Sequence, residues 1–417
     1  MEKRERNAPI WVIFKILNFV LLLYTGYVWL AFSVPPRGMN VLITCGMLLC
    51  CLIGNFRLQF TSRVPVLILV LISIFLLSYI VRDAISAQIL LGVLIPTLIV
   101  YMLPAERQCD LLKSIADWYG IMMLISLVLF FAVQVVSLPS FGIFKVPGMS
   151  DIYEPYVNYI FYIQDTSNNF VFKRFNGPFI EPGHQAMISC FLLFANRMDF
   201  KRVPWLWAIL AAVLTSLSLA GYILVLVALA LLKLRNFSTT MMISAVVAMA
   251  YLFVTQLWNE GQNPVNEMVL SRLEYDKNTG IKGNNRTLRT TDKYFTRCVE
   301  DGTIWLGVEN AKNKGNKISG AGYKIYLLNN GLLMFLLMIG FYILLINPKS
   351  NKRYAISFIV FVLLCFLQRG YLSWYSWLLS YTVGIGATRM INPYKKMQRI
   401  EREEAEIEET KDNNEIA

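Results

Sequence analysis

The chain has 417 residues, of which 56% are hydrophobic and only 16% charged, and its mean hydropathy is +0.51. That balance excludes an ordinary soluble globular protein and points to many membrane-spanning helices. The formal charge is +12, yet the last seventeen residues hold eight acids against Arg402 and Lys411, so the body ahead of them is more basic still.

A charged start, Met1–Arg6, precedes an apolar run from Ile10 to Phe32. The run is too long for a signal-peptide core and no small-residue cleavage site follows it, so it is expected to stay as a span. Further runs cover Asn40–Phe56, Val64–Val81, Ser86–Leu103 and Tyr119–Leu138, and a long polar segment follows. The next are Gln185–Asn196, Val203–Leu217, Leu219–Leu234 and Ser238–Trp258, with the continuous 203–234 stretch divided at Ser216-Leu217-Ser218 because about 20 residues suffice to cross. After a second polar segment come Gly322–Ile346, Tyr354–Leu367 and Leu372–Met390.

The expected fold is therefore all-α and polytopic, with about twelve transmembrane helices and two large extracytoplasmic loops. The expected division is five spans in 1–138, a first external loop in 139–184, four spans in 185–258, a second external loop in 259–321 and three spans in 322–390. Residues 391–417 read as an acidic, disordered tail. One set of alternate connections holds Arg57 and Arg63; Arg107 and Lys113; Arg197, Lys201 and Arg202; Lys233 and Arg235; Lys349, Lys352 and Arg353. The short connections of the other set are read as holding little more than Arg37 and Arg82, so the first set, with both termini, is expected to be cytoplasmic.

Seven cysteines occur: five in apolar runs, Cys109 in an expected cytoplasmic connection and Cys298 in an external one. With no CxxC and a single histidine, neither a disulfide framework nor a zinc cluster nor a histidine-rich metal site is supported.

The stretch from Lys173 to His184, KRFNGPFIEPGH, carries the first candidate chemistry. Gly177-Pro178 and Pro182-Gly183 make it a set of turns ahead of a helix. The Arg174 guanidinium can grip phosphate oxygens bidentately and Lys173 adds a point charge, although the pair also fits two snorkelling interfacial cations. Glu181 and His184, three residues apart at a helix start, can face one side, and either can serve as a general base. A carboxylate there is equally an ordinary helix cap.

The second loop holds ten cations, among them Arg272, Arg286, Arg289, Lys293 and Arg297, which suggests an anionic partner. Asn284-Asn285 can cap a helix from about Arg286 to Val299, with Arg286, Arg289, Lys293 and Arg297 on one face and Leu288, Phe295 and Val299 on the other. Such a helix can lie on a membrane surface, apolar side down. Next comes a glycine-rich lead-in, Gly315 to Lys324, whose backbone N–H groups can cradle an anion; it includes Tyr323 and lacks P-loop spacing. Aromatics crowd the first loop (Tyr153, Tyr156, Tyr159, Phe161, Tyr162, Phe170, Phe172, Phe175), a composition shared by sugar-stacking platforms and interfacial belts.

About twelve spans, two basic external loops, the RFNGPFIEPG stretch before a span and a Gly-x-Gly lead-in together resemble the Wzy-type O-antigen and capsular polysaccharide polymerases, whose relatives are the O-antigen ligases. The family's arginine–ten residues–glycine pattern fits from Arg272 to Gly283 and fails at Arg174, where position 185 is Gln. The resemblance implies a metal-independent glycosyltransferase without a cofactor in the bacterial inner membrane. Its substrate would be an undecaprenyl-pyrophosphate-linked oligosaccharide, and a chain-length regulator, a flippase and membrane lipids would be its partners, with no nucleic acid. On that footing the expected catalytic residues are Glu181, His184 and Arg174, and the expected diphosphate- or glycan-binding residues are Lys173, Arg272, Arg286, Arg289, Arg297 and Tyr323. Ligase-type glycan transfer shares this chemistry. A lipid-linked oligosaccharide flippase is the alternative from another class, but it should carry charges inside its helices, and Lys15 alone fits that pattern.

Overall fold

The computed structural model describes residues 8–24, 26–27, 36–81, 84–144, 155–165, 174–233, 253–263, 289–308 and 322–390, with a few isolated positions between 249 and 281. Lys173, Arg272, Arg286, the lead-in as far as residue 321 and the tail 391–417 lie outside the described residues.

Helix α1 (Ala8–Tyr24) packs on α2 (Pro36–Ile53), which Pro36 opens at a position where a missing N–H costs little. Helix α3 (Val64–Val81) has the same bounds as its apolar run. It buries Val64, Leu67, Leu71, Ile74 and Ser78, one stripe at three- and four-residue spacing, while Val66, Leu69, Leu76 and Ile80 on its other faces are exposed. A helix apolar all round yet half uncovered has lipid, not water, as its solvent. Among the described residues three helices are long and apolar enough to cross a membrane, namely α3, α5 and α10, the last two introduced below.

Helix α4 (Ala84–Met102) carries Pro96 in its interior and meets α2 where Gly92 lies against Asn40. Helix α5 (Ala105–Val135) is 31 residues long and starts well before the Tyr119–Leu138 run, so Arg107, Cys109 and Lys113 are helical rather than in a loop. The apolar pattern alone hides this extension, because Glu106, Asp110 and Asp117 break it. Asp110 accepts from Trp11 Nε1 at 2.6 Å and pairs with Lys15 at 3.2 Å, so the one charge inside α1 has a partner.

After α5 the chain forms a three-stranded antiparallel sheet, β1 (Ile143–Phe144), β2 (Tyr156–Asn158) and β3 (Ile163–Asp165). Tyr156, Tyr162 and Phe175 are buried, and Phe130 of α5 packs edge-on against both Tyr162 and Phe175. These aromatics of the first loop are thus its own core, neither a sugar platform nor a belt.

Helix α6 (Pro182–Ala195) is the centre: every residue from Gln185 to Ala195 is buried. Tyr119 and Gln185 share the Ser189 hydroxyl, at 3.1 and 2.9 Å. Helices α7 (Leu206–Thr215) and α8 (Leu219–Lys233) flank it and meet at Ser216–Ser218, where the 203–234 stretch was divided. At about 1.5 Å per residue, the 14 residues of α6 and 10 of α7 rise roughly 21 and 15 Å, short of the ~30 Å hydrocarbon core expected of full spans. Of the Ser238–Trp258 run, only position 249 and the end are described, the end as a π-turn over Phe253–Leu257 followed by a 3₁₀ turn.

In the second loop a two-stranded pair, β4 (Tyr275–Asp276) and β5 (Gly280–Ile281), precedes α9 (Arg289–Glu300). Helix α9 also packs against protein: Cys298 meets Ile304 and Leu328, flanked by Tyr294 and Phe295. Val299, expected on the apolar face, is 51% exposed, and the stripe buried against protein runs through Thr291 and Cys298. Helix α10 (Gly322–Leu344) is broken at Gly331, and the Leu328 carbonyl near the break accepts the Val308 N–H at 2.7 Å. Helix α11 (Lys352–Gln368) and a last helix, α12 (375–390), complete the bundle; Trp377 of α12 stacks on Phe191 of α6 at 4.5 Å.

Candidate active site

The turn Asn176-Gly177-Pro178-Phe179 delivers the chain to α6. Gly177 has φ +58, which glycine adopts without strain, and Asn176 Nδ2 donates to the Phe179 carbonyl at 2.6 Å. Phe179 is fully buried and pairs through its backbone with Tyr27, so the turn is anchored against the end of α1. Glu181 then stands at the N-cap of α6 in extended conformation, with Pro182 at the first turn. Its carboxylate makes no capping bond, which corrects the capping alternative. It faces the 369–374 connection between α11 and α12.

There Arg369 donates from Nη2 to Glu181 Oε2 and from Nη1 to the Tyr371 hydroxyl at 3.1 Å. His184 Nε2 lies 2.8 Å from that hydroxyl and 3.7 Å from Glu181 Oε2, so the Glu181–His184 pair does share one side of the helix start. A guanidinium only donates, so the phenol oxygen accepts from Arg369 and its hydrogen can point to Nε2. This assignment fits the neutral imidazole with its proton on Nδ1. Tyr371 and Trp374 stack at 3.7 Å with planes 6° apart, and the His184 ring meets both edge-on. The side chains of Glu181, Arg369 and His184 are 27%, 18% and 12% exposed, so the cluster is recessed but reachable. Burial alone would lower the Arg369 pKa, but Tyr371 and the Glu181 carboxylate outweigh it and hold the group above its ordinary value. The guanidinium is a permanent charge in this site.

Two glycines set the position of Arg369. A Cβ on Gly322 would lie 2.5 Å from Arg369 Cα and 2.6 Å from Gly370 N, and one on Gly370 would lie 2.6 Å from the Gly322 carbonyl. The end of the glycine-rich lead-in is thus a backbone contact that seats the Arg369 turn against the start of α10. Tyr323, next in the chain, meets Phe295 of α9 edge-on at 6.5 Å, and Lys324 pairs with Asp292 at 2.6 Å. Through these contacts the second loop is docked beside the Arg369 turn.

Arg174 stands at the α7–α8 elbow. Its Nε donates to the Ser216 carbonyl at 3.2 Å, and the Phe175 N–H donates to the Thr215 carbonyl at 3.2 Å. Gly221 of α8 abuts Ala186 of α6, so this elbow and the Glu181 cluster share one end of the bundle. Arg297 is exposed on α9, and Arg289 begins that helix. Among the described residues, no group of three or more His, Cys, Asp or Glu side chains is assembled to hold a metal ion.

Sequence reading passed over Arg369, Tyr371 and Trp374. The available signal was an arginine in a short connection of the set credited only with Arg37 and Arg82, followed by glycine and two aromatics. Bundle and surface define an all-helical membrane protein with a charged cluster at one end of its central helix. No family model, curated protein or solved structure matches the chain.

Proposed function

We propose that the protein is a polysaccharide polymerase of the outer face of the bacterial inner membrane, with both termini cytoplasmic. It moves a glycan from undecaprenyl pyrophosphate to the free end of a lipid-linked repeat unit. The observation that carries the reading is the Glu181–Arg369–Tyr371–His184 cluster: a fixed cation, a carboxylate and an imidazole beside an aromatic stack. An apolar groove of about 470 Å³ between α1 and α5, lined by Phe19, Leu23, Tyr27, Trp118, Met122 and Phe161, supports it. Tyr27, in its lining, pairs with Phe179 two residues before Glu181, which suits a polyprenyl tail lying beside a diphosphate at the cluster.

In this mechanism the arriving diphosphate competes with Glu181 for Arg369. Once Arg369 turns to the phosphate oxygens, Glu181 is released to take the proton of the acceptor hydroxyl. That oxygen bonds to the anomeric carbon as the carbon–oxygen bond to the diphosphate breaks. The departing diphosphate keeps the electron pair, and Arg369, with Arg174 from the elbow, stabilises the growing charge. His184, through Tyr371, holds the ring stack and the phenol that orients Arg369.

The test supplies purified protein with its lipid-linked repeat unit alone, in EDTA. A ladder of two, three and more repeats on one lipid is expected, with most activity lost in Arg369→Lys and Arg174→Lys, which keep charge but not the fork. A ladder that requires added metal would refute the arginine mechanism. No ladder, with lipid translocated across liposomes unchanged in mass, would make the protein a flippase; transfer only when a different acceptor is added would make it a ligase.

A further inference from the structure

At the other end of α6 lies a second charged site. An open cavity of about 430 Å³ lies between the α6–α7 turn, the end of α8 and the start of α11, and Arg197, Lys233 and Arg353 line it. Among the described residues no carboxylate shares the lining. Asp199, the acid nearest Arg197 in the chain, accepts the Arg202 N–H at 3.2 Å.

Arg197 occupies a costly position. Its φ is +57 and that of Met198 is +51, the left-handed conformation that ends many helices and that glycine adopts most easily. The turn is a helix stop, closed by Met198 N–H to the Leu193 carbonyl at 2.9 Å. An arginine there holds its guanidinium 4.9 Å from the centre of the Tyr354 ring, and Tyr354 is fixed in turn by hydrogen bonds to the Phe194 and Ala195 carbonyls at 3.0 and 3.1 Å. Asn351 caps α11 by accepting the Tyr354 N–H at 3.1 Å, so the helix end bearing Arg353 is also fixed. Three cations thus line a space to which the described residues bring no carboxylate, beside the N-terminus of α11, where the helix dipole favours an anion.

The remaining wall is aliphatic. Ala230, Leu231 and Leu232 of α8 close the cavity, and Ile223 and Leu226, exposed further along α8, continue from Ala230 on the same helix face. We infer that this cavity binds the phosphate-bearing headgroup of an anionic phospholipid, with an acyl chain lying along the Ile223–Leu226–Ala230 face. Charge-assisted hydrogen bonds from the two arginines recognise the phosphate oxygens, and Lys233 adds a third charge. Basic pockets between helices on the cytoplasmic side of membrane proteins take headgroups of this kind. On the charge distribution of the connections, this is the cytoplasmic end. The site stands apart from the Glu181 cluster and does not depend on the glycan chemistry proposed above.

The experiment uses the full chain purified in mild detergent, with phosphatidylglycerol, phosphatidylcholine or inorganic phosphate added, and reads retained adducts by native mass spectrometry and the thermal midpoint. Phosphatidylglycerol is expected to be retained and to raise the midpoint, and phosphatidylcholine to do neither. Each cation removed should weaken retention by about fivefold, so Lys233→Gln with Arg353→Gln should weaken it roughly 25-fold. Lys201→Gln with Arg202→Gln, on the same turn but outside the cavity, should leave it unchanged. Arg197→Gln is tested separately because its turn is part of the fold; the Lys233 and Arg353 variants carry the conclusion if it fails to express. Equal retention in the Lys233/Arg353 and Lys201/Arg202 variants would overturn the proposal. Stabilisation by millimolar inorganic phosphate equal to that by the lipid would overturn the lipid assignment in favour of a soluble phosphate.

Discussion

Replacing Glu181 and Arg369, singly and together, by glutamine tests whether the cluster is one coupled unit. The two side chains are 27% and 18% exposed, between the water-screened and fully desolvated limits. Removing one member of a buried pair costs about 3–5 kcal/mol, whereas an exposed pair is worth about 0–1 kcal/mol. At this depth Glu181→Gln is expected to cost about 2 kcal/mol. Arg369→Gln also forfeits the bond to Tyr371, worth about 1 kcal/mol net, and is expected to cost about 3 kcal/mol. The double variant leaves no unpaired charge and should cost about 3 kcal/mol, so the coupling is about 2 kcal/mol. The assay is reversible unfolding in mixed micelles titrated with dodecyl sulfate, followed by tryptophan fluorescence. Losses that simply add, giving about 5 kcal/mol for the double variant, would show that the two side chains do not act on each other and would remove the basis for the exchange proposed during catalysis.

The other predictions concern packing and exposure. Gly331 has φ +80 and ψ 162, and a Cβ there would lie 2.5 Å from the Leu306 carbonyl carbon, so Gly331→Ala should destabilise by about 3 kcal/mol in the same titration. Gly322→Ala, pressed against the backbone of Arg369 and Gly370, should displace the Arg369 turn and lower the proposed transfer activity by more than its loss of stability explains; unchanged activity would detach that contact from the site. Cys298 is only 3% exposed, so an impermeant thiol reagent should leave it unmodified in the native protein, whereas a cysteine in place of exposed Lys293 should react from whichever side the second loop faces. Rapid native-state labelling of Cys298 would refute the docking of α9 on α10.

Helices whose residues are apolar on every face were plain in the sequence, because lipid demands it: α3 and the body of α10 begin where their runs begin. The amphipathic first half of α5 was not, since its charges meet partners on α1 that periodicity cannot show. The Glu181–His184 pair was legible because both lie within one helical turn and the flanking prolines and glycines mark that turn. Arg369 was not, since 188 positions separate it from Glu181 and only the tertiary fold brings them together. The stripe that α9 buries was hidden for a related reason: in a 12-residue helix it is chosen by what it docks on, here Leu328 and Ile304.

In the proposed orientation, with the Glu181 cluster outside and the basic cavity inside, the shortness of α6 has an electrical consequence. Its 14 residues put the Glu181 cluster and the basic cavity only about 21 Å apart, against a hydrocarbon thickness of about 30 Å. Water reaching both ends would leave an insulating layer about two-thirds as thick at the centre of the protein as in the surrounding lipid. A membrane potential falls across insulation, so the field along α6 would be about half again as steep as that through the bilayer. A charge displaced by a given distance at either end would then exchange proportionally more energy with the potential than the same movement in neighbouring lipid.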